Sequence, residues 1–280
     1  GKSEQDMSGA MRERPRKVRR SWCASVLACL MTCGPAWADS GDSWTFTLNA
    51  DSTTQGLLTS GDWTLRAALT AAGSDTLGLG YGNWADPAAA YVAGSGVLDL
   101  TTPIWQGERR LSLTHVRRTA FLNLPKTVAV RRLVLPDTVA DIATYAFSGL
   151  SSVDRLIVRS TNVTALAERA FFDVSNMYRL DLALPSLAAA NVANKVLSNG
   201  NAKRLLCLDV TGFGEIPASA FGGVAVSNLV LKTVLGQKFA AQAFPNGNLR
   251  CVSFTGDRPD LSARGDNPEN QVFGPFFVSI

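Results

Sequence analysis

The stretch RRLVLPDTVADIATYAFSGL (Arg131–Leu150) decides the fold, because the chain repeats it. DRLIVRSTNVTALAERAFFDV begins at Asp154, YRLDLALPSLAAANVANKVLSNG at Tyr178, RLLCLDVTGFGEIPASAFGGV at Arg204 and SNLVLKTVLGQKFAAQAFPNG at Ser227. RCVSFTGDRP opens a further copy at Arg250. Three columns keep step. An apolar-x-apolar pair runs through Leu133/Leu135, Leu156/Val158, Leu180/Leu182, Leu206/Leu208, Leu229/Leu231 and Val252/Phe254, its second members 23, 24, 26, 23 and 23 residues apart. A single apolar residue follows, at Ile142, Leu166, Val192, Ile216 and Phe239. The third column lies five residues on, at Phe147, Phe171, Leu197, Phe221 and Phe244, with Ala before it in every copy but the third, where Val196 stands. Self-similarity at this period marks a solenoid.

Alternation assigns the roles. In an apolar-x-apolar triplet the outer residues face one side of a strand and the middle residue the other. One copy cannot bury that apolar side; stacked copies bury it against each other. The expectation is a β-rich α/β solenoid with a parallel sheet, rungs about 4.8 Å apart, and a short helical turn on the opposite wall at each Ala-Phe. VLDLTTP (Val97–Pro103) starts the pattern early with Leu98/Leu100, and after an insertion containing RRLSL (Arg109–Leu113) Val116, Ala120 and Phe121 complete an irregular first repeat.

Outward from the repeats, the N-terminus reads as a leader. RERPRKVRR (Arg12–Arg20) is basic, SWCASVLACLMTCG (Ser21–Gly34) apolar, and AWA (Ala36–Ala38) small at −3 and −1. That is the order of a secretory signal peptide, with the mature chain expected from Asp39. A membrane anchor is the alternative, but the apolar run is shorter than the ~20 residues of a span; VLAC (Val26–Cys29) offers lipoprotein processing as another. Of the 27 Lys/Arg, seven lie in residues 1–38, as do three of the 23 Asp/Glu, which leaves 20 of each in the remainder. The net charge of +4 therefore belongs to the leader, and a nucleic-acid partner loses its electrostatic support. Cys23, Cys29 and Cys33 would leave with it. Cys207 and Cys251 lie two rungs apart, roughly 10 Å, beyond the ~7 Å that a disulfide spans, so two thiols are expected.

The domain plan is a leader over 1–38, a β-rich N-terminal cap over 39–96, the solenoid over 97–254 and an irregular C-terminal repeat or cap over 255–280. WTFTL (Trp44–Leu48) and DWTLRAAL (Asp62–Leu69) read as cap strands; Trp44, Trp63 and Trp84 are expected to fill the cap, an aromatic sugar site being the alternative. The non-Met start and the apolar VFGPFFVSI (Val272–Ile280) suggest a piece of a longer protein.

LVLPDTVADIATYAFSGL and VTALAERAFFDV resemble the leucine-rich repeats of BspA-like bacterial surface proteins, roughly L-x-x-L-x-L-P-x-x-[VI]-x-x-I-x-x-x-A-F-x-G. The resemblance covers about Trp44–Ile280, and the third copy departs most. It implies leucine-rich repeats of about 23–26 residues, and a secreted or cell-surface protein that binds an unidentified protein of a host cell, neighbouring cell or matrix in adhesion. It implies no catalytic site.

The residues point the same way. His115 is the only histidine, the Glu at 108, 168, 215 and 269 are scattered, no Cys/His spacing suits zinc, and LGLGYGN (Leu77–Asn83) lacks a phosphate loop's Lys. No catalytic residue, cofactor or metal is therefore expected. The binding surface expected is the outer sheet face, where Val134, Ile157, Asp181, Cys207, Val230 and Ser253 form the middle column beside Arg132, Arg155 and Arg179. Apolar area flanked by Arg has the composition of an interface; the structural alternative is that these Arg pair with Asp154 and Asp181. The face is represented by Arg132, Val134, Arg155, Ile157, Arg179 and Val230. Arg264-Gly265-Asp266 is a second candidate, an integrin-type tripeptide, with ordinary turn chemistry as its alternative. Alternatives in function are the targeting module of a larger secreted enzyme and a self-associating surface-layer component.

Overall fold

The structure is a computed structural model that describes residues 42–81, 89–91, 96–121, 130–148, 150, 153–172, 174, 177–197, 206–222, 228–245, 249 and 251–261. Its strands in chain order are β1 (Trp44–Leu48), β2 (Gln55–Ser60), β3 (Trp63–Leu69), β4 (Thr76–Leu79), β5 (Ala89–Tyr91), β6 (Val97–Asp99), β7 (Ile104–Gln106), β8 (Arg109–Val116) and β9 (Arg132–Val134). There follow β10 (Asp141–Ile142), β11 (Arg155–Arg159), β12 (Arg179–Ala183), β13 (Leu206–Asp209), β14 (Glu215–Ile216), β15 (Asn228–Thr233), β16 (Lys238–Phe239) and β17 (Cys251–Gly256).

The repeats stack as strands. A seven-stranded sheet runs β17-β15-β13-β12-β11-β9-β6, each neighbour parallel. Leu98, Leu133, Leu156, Leu180, Leu208, Leu231 and Phe254 are successive register partners. Here one alignment differs from the sequence columns: Leu180 pairs with Leu208, not Leu206. The pairing is shifted by two residues, so the step from Leu180 to Leu208 is 28 residues where the columns have 26 from Leu182 to Leu208. A slip of two keeps every side chain on its face, whereas a slip of one would turn the apolar set outward.

The second column pairs in three separate parallel steps. Val116 pairs with Ile142, Leu166 bridges Val192 and Ile216 pairs with Phe239. Val116 thus takes its place in the irregular first repeat.

The third wall is not helical. The one helical element among the described residues is a 3-10 turn at Ala189–Asn191. Each copy instead carries a left-handed residue immediately before its Ala-Phe or Val-Leu pair: Thr119, Tyr145, Arg169, Lys195, Ser219 and Gln242, with φ between 55° and 59°. Their amides climb from copy to copy, Thr119 N–H donating to Tyr145 O (3.2 Å), Tyr145 to Arg169 (3.2 Å), Arg169 to Lys195 (3.2 Å), Lys195 to Ser219 (2.9 Å) and Ser219 to Gln242 (2.8 Å). A helix would spend those amides inside one copy; the left-handed turn aims them at the next. The Phe rings stack beneath this ladder, Phe147 on Phe171 at 4.9 Å and 1°, Phe221 on Phe244 at 4.9 Å and 17°. Leu197 interrupts the stack in the third copy.

The cap goes further into the chain than composition suggests. β8, β4, β3, β2, β1 and β7 pair in that order, and β7 pairs back with β8, so the path closes on itself. Closure removes free edges. The insertion in the first repeat is the β7–β8 hairpin, and it supplies the closing strands. Trp44, Phe46, Leu58, Trp63, Leu65, Leu77, Ile104, Leu111 and Leu113 are buried and belong to one contiguous core with the solenoid residues. Trp44 and Trp63 are therefore packing residues; Trp84 lies outside the described residues.

Cys207 is disulfide-bonded, while Cys251 keeps its thiol. The expectation of two thiols is corrected. The register argument excluded only a bridge between these two, which β15 indeed separates.

Candidate functional site

The outer sheet face is built by strand alternation. Arg132, Arg155 and Arg179 are register partners in one row. Val134, Ile157 and Asp181 form the next. Beyond β12 the two-residue slip changes the neighbours. Arg179 now faces Cys207, then Val230, then Ser253. Asp181 faces Asp209, then Lys232, then Thr255. Val230 thus joins the Arg row and not the apolar column.

Charge pairing explains the centre of the face. Asp181 is 1% exposed. Its Oδ2 accepts from Arg155 Nη2 (2.6 Å) and Nε (3.1 Å), and its Oδ1 from Arg179 Nε (2.8 Å). A buried carboxylate between two guanidinium groups satisfies the need for pairing that burial imposes. Asp209 beside it takes Lys232 Nζ at 3.0 Å and the Thr211 hydroxyl at 2.7 Å. Burial pushes the Asp209 carboxyl up, but the hydrogen bonds from Thr211 and Lys232 and the Lys232 charge outweigh it, and the net shift is downward. Arg155 and Arg179 are thus engaged in the fold. Of the two pairing partners weighed from sequence, Asp154 and Asp181, Asp181 accepts from both Arg155 and Arg179.

The six residues of the expected face separate. Val230 is 2% exposed and Cys207 6%, yet neither belongs to the contiguous core. Val230 is buried and so does not stand on an exposed face as expected. Arg132, Val134, Arg155, Ile157 and Arg179 are partly exposed, and the first four lie together across β9 and β11. Arg264, Gly265 and Asp266 lie outside the described residues.

His115 sits in β8 opposite Asp141 of β10, its Nδ1 sharing a hydrogen bond of 2.7 Å with the Thr114 hydroxyl. Among the described residues no group of three or more His, Cys, Asp and Glu is placed to hold a metal ion. Among them, too, no helix is long and apolar enough to cross a membrane.

Two surface groups escaped the sequence reading. On the turn wall, the Tyr145 ring lies under Arg118 (5.9 Å) and Arg169 (5.8 Å) and meets the edge of Phe172 at 5.3 Å. On the cap, Trp105 is 37% exposed. Its signal was the alternation of Ile104, Trp105 and Gln106 into the Gly107-Glu108 turn, which points the indole away from Ile104.

The class that the fold defines is a strand-rich protein of stacked parallel copies, a solenoid-like β arrangement behind a closed β cap. Beyond that class, no family model, curated protein or solved structure matches the chain.

Proposed function

We propose that this chain is an exported, non-catalytic protein-binding solenoid of the BspA-like leucine-rich-repeat kind, acting in cell-surface adhesion. The leader-like N-terminus and the L-x-L and Ala-Phe columns support export and the family. The observation that carries the binding site is the patch of Arg132, Val134, Arg155 and Ile157, partly exposed and in register on neighbouring parallel strands. Apolar side chains between Arg are the composition of an interface core. Arg155 is already committed to Asp181, which fixes its guanidinium and lowers the entropy lost on docking.

The test is capture from extracts of host matrix and neighbouring cells, with the protein immobilised. Arg132→Glu combined with Ile157→Asp should abolish capture of the partner that the parent chain retains. Undiminished capture by the double variant removes this patch as the site.

A further inference from the structure

The geometry points to a saccharide-binding site on the outer face of the cap, distinct from the solenoid patch and independent of the reading above. Trp105 begins the argument. Its register partner is Thr45 of β1, whose partner is Thr59 of β2, whose partner is Thr64 of β3. On the other side Trp105 faces Arg110 of β8. Register partners share a face, so Arg110, Trp105, Thr45, Thr59 and Thr64 form one outward row. The path of strands closes on itself, so the row bends around the cap, and Trp105 shares its side with its near neighbours Thr45 and Thr59.

An open hollow adjoins this row, lined by Asp42, Ser43, Thr45, Thr59, Ser60 and Gly61. Thr45 and Thr59 belong to both, which places the hollow next to the indole. The lining offers one carboxylate and four hydroxyl groups. Its entry is pinned: the Asp42 carbonyl accepts hydrogen bonds from Thr102 Oγ1 (3.1 Å) and Ser60 Oγ (3.5 Å). These bonds hold the Asp42 backbone and the Ser60 hydroxyl in place before a ligand arrives.

An aromatic platform with a few convergent polar groups is the make-up of a small-ligand site. A sugar ring presents an apolar C–H face and a rim of hydroxyls. Indole suits the first; Asp42 and the Ser and Thr hydroxyls suit the second. A phosphate or uronate would face the Asp42 carboxylate, so the ligand is a neutral saccharide. A protein interface would instead want apolar residues where Thr45, Thr59 and Thr64 stand.

The test is calorimetric titration of the whole chain with four neutral hexasaccharides: cello-, laminari-, malto- and chitohexaose. At least one should bind. Trp105→Ala should weaken that binding by about tenfold, Trp105→Phe should retain most of it, and Asp42→Asn should lie between. Arg132→Glu, on the solenoid sheet, should leave it unchanged, and protein capture by the solenoid patch should survive Trp105→Ala. Absence of binding by all four at millimolar concentration overturns the proposal. So does unchanged affinity in a Trp105→Ala protein that melts like the parent.

Discussion

Lys195 tests the left-handed ladder most cleanly. Its φ is 56°, its side chain is exposed, and its backbone bonds Ser219 O at 2.9 Å and accepts from Arg169 N at 3.2 Å. A non-glycine residue in this region is disfavoured by about 1–2 kcal/mol. Glycine escapes that strain but loses more freedom on folding, about 0.5–1 kcal/mol. Lys195→Gly should therefore raise stability by about 0.5 kcal/mol, the difference of those two effects. Lys195→Val goes the other way: a β-branched residue is a genuine outlier at positive φ, and the loss should be about 1–2 kcal/mol. In a chain of this size each kcal/mol moves the melting temperature by about 2–4 °C. Thermal melts of the Gly, Asn and Val variants should rank Gly and Asn above the parent and Val below it. The reasoning is refuted if Val melts with the parent, or if Gly falls below it, because the backbone at this step would then not be held left-handed.

Asp181→Asn should destabilise by about 3 kcal/mol, the lower end for a broken buried pair, since Arg155 at 20% and Arg179 at 12% side-chain exposure can partly rehydrate; a urea-melt loss under about 1 kcal/mol would class the group with surface pairs. For the same reason Arg155→Glu or Arg179→Glu should weaken the sheet before it reports on binding, which a urea melt of either variant checks. Gly212→Ala should cost about 2 kcal/mol: an added Cβ there runs into the Leu184 amide and lies 2.8 Å from Ala183 C, and a neutral result by urea melt would mean the turn can shift. Asp209 has a lowered folded pKa, so its contribution is present above the unfolded value of ~3.9 and is lost as pH falls through the folded value. The stability gap between parent and Asp209→Asn should be open at pH 7 and close as pH drops below about 3.9; a gap independent of pH contradicts this.

The sequence by itself determined the stacking. Leu, Phe and Ala at fixed columns state which side of each copy is apolar, and a side that no single copy can bury must be buried by its neighbours. That logic reached the parallel sheet, the irregular first repeat through Val116, and the burial of Trp44 and Trp63. It did not reach the turn wall. Thr, Tyr, Arg, Lys, Ser and Gln share no side-chain signature for a left-handed backbone. The conformation is imposed by inter-copy hydrogen bonds, and those exist only once the copies are stacked. Nor did it reach the slip at β12–β13, because L-x-L matches L-x-L equally well two residues apart. That slip placed Asp181 against Asp209 and moved Val230 into the Arg row, so the outer face could not be drawn from column position alone. The cap closed for a similar reason. Pairing of β7 with β1 joins residues 44–45 to 104–105, a contact that no local pattern announces. Side-chain alternation is a property of the chain, whereas the neighbour across a strand belongs to the assembled sheet. The first was legible in the residues; the second was decided by tertiary structure.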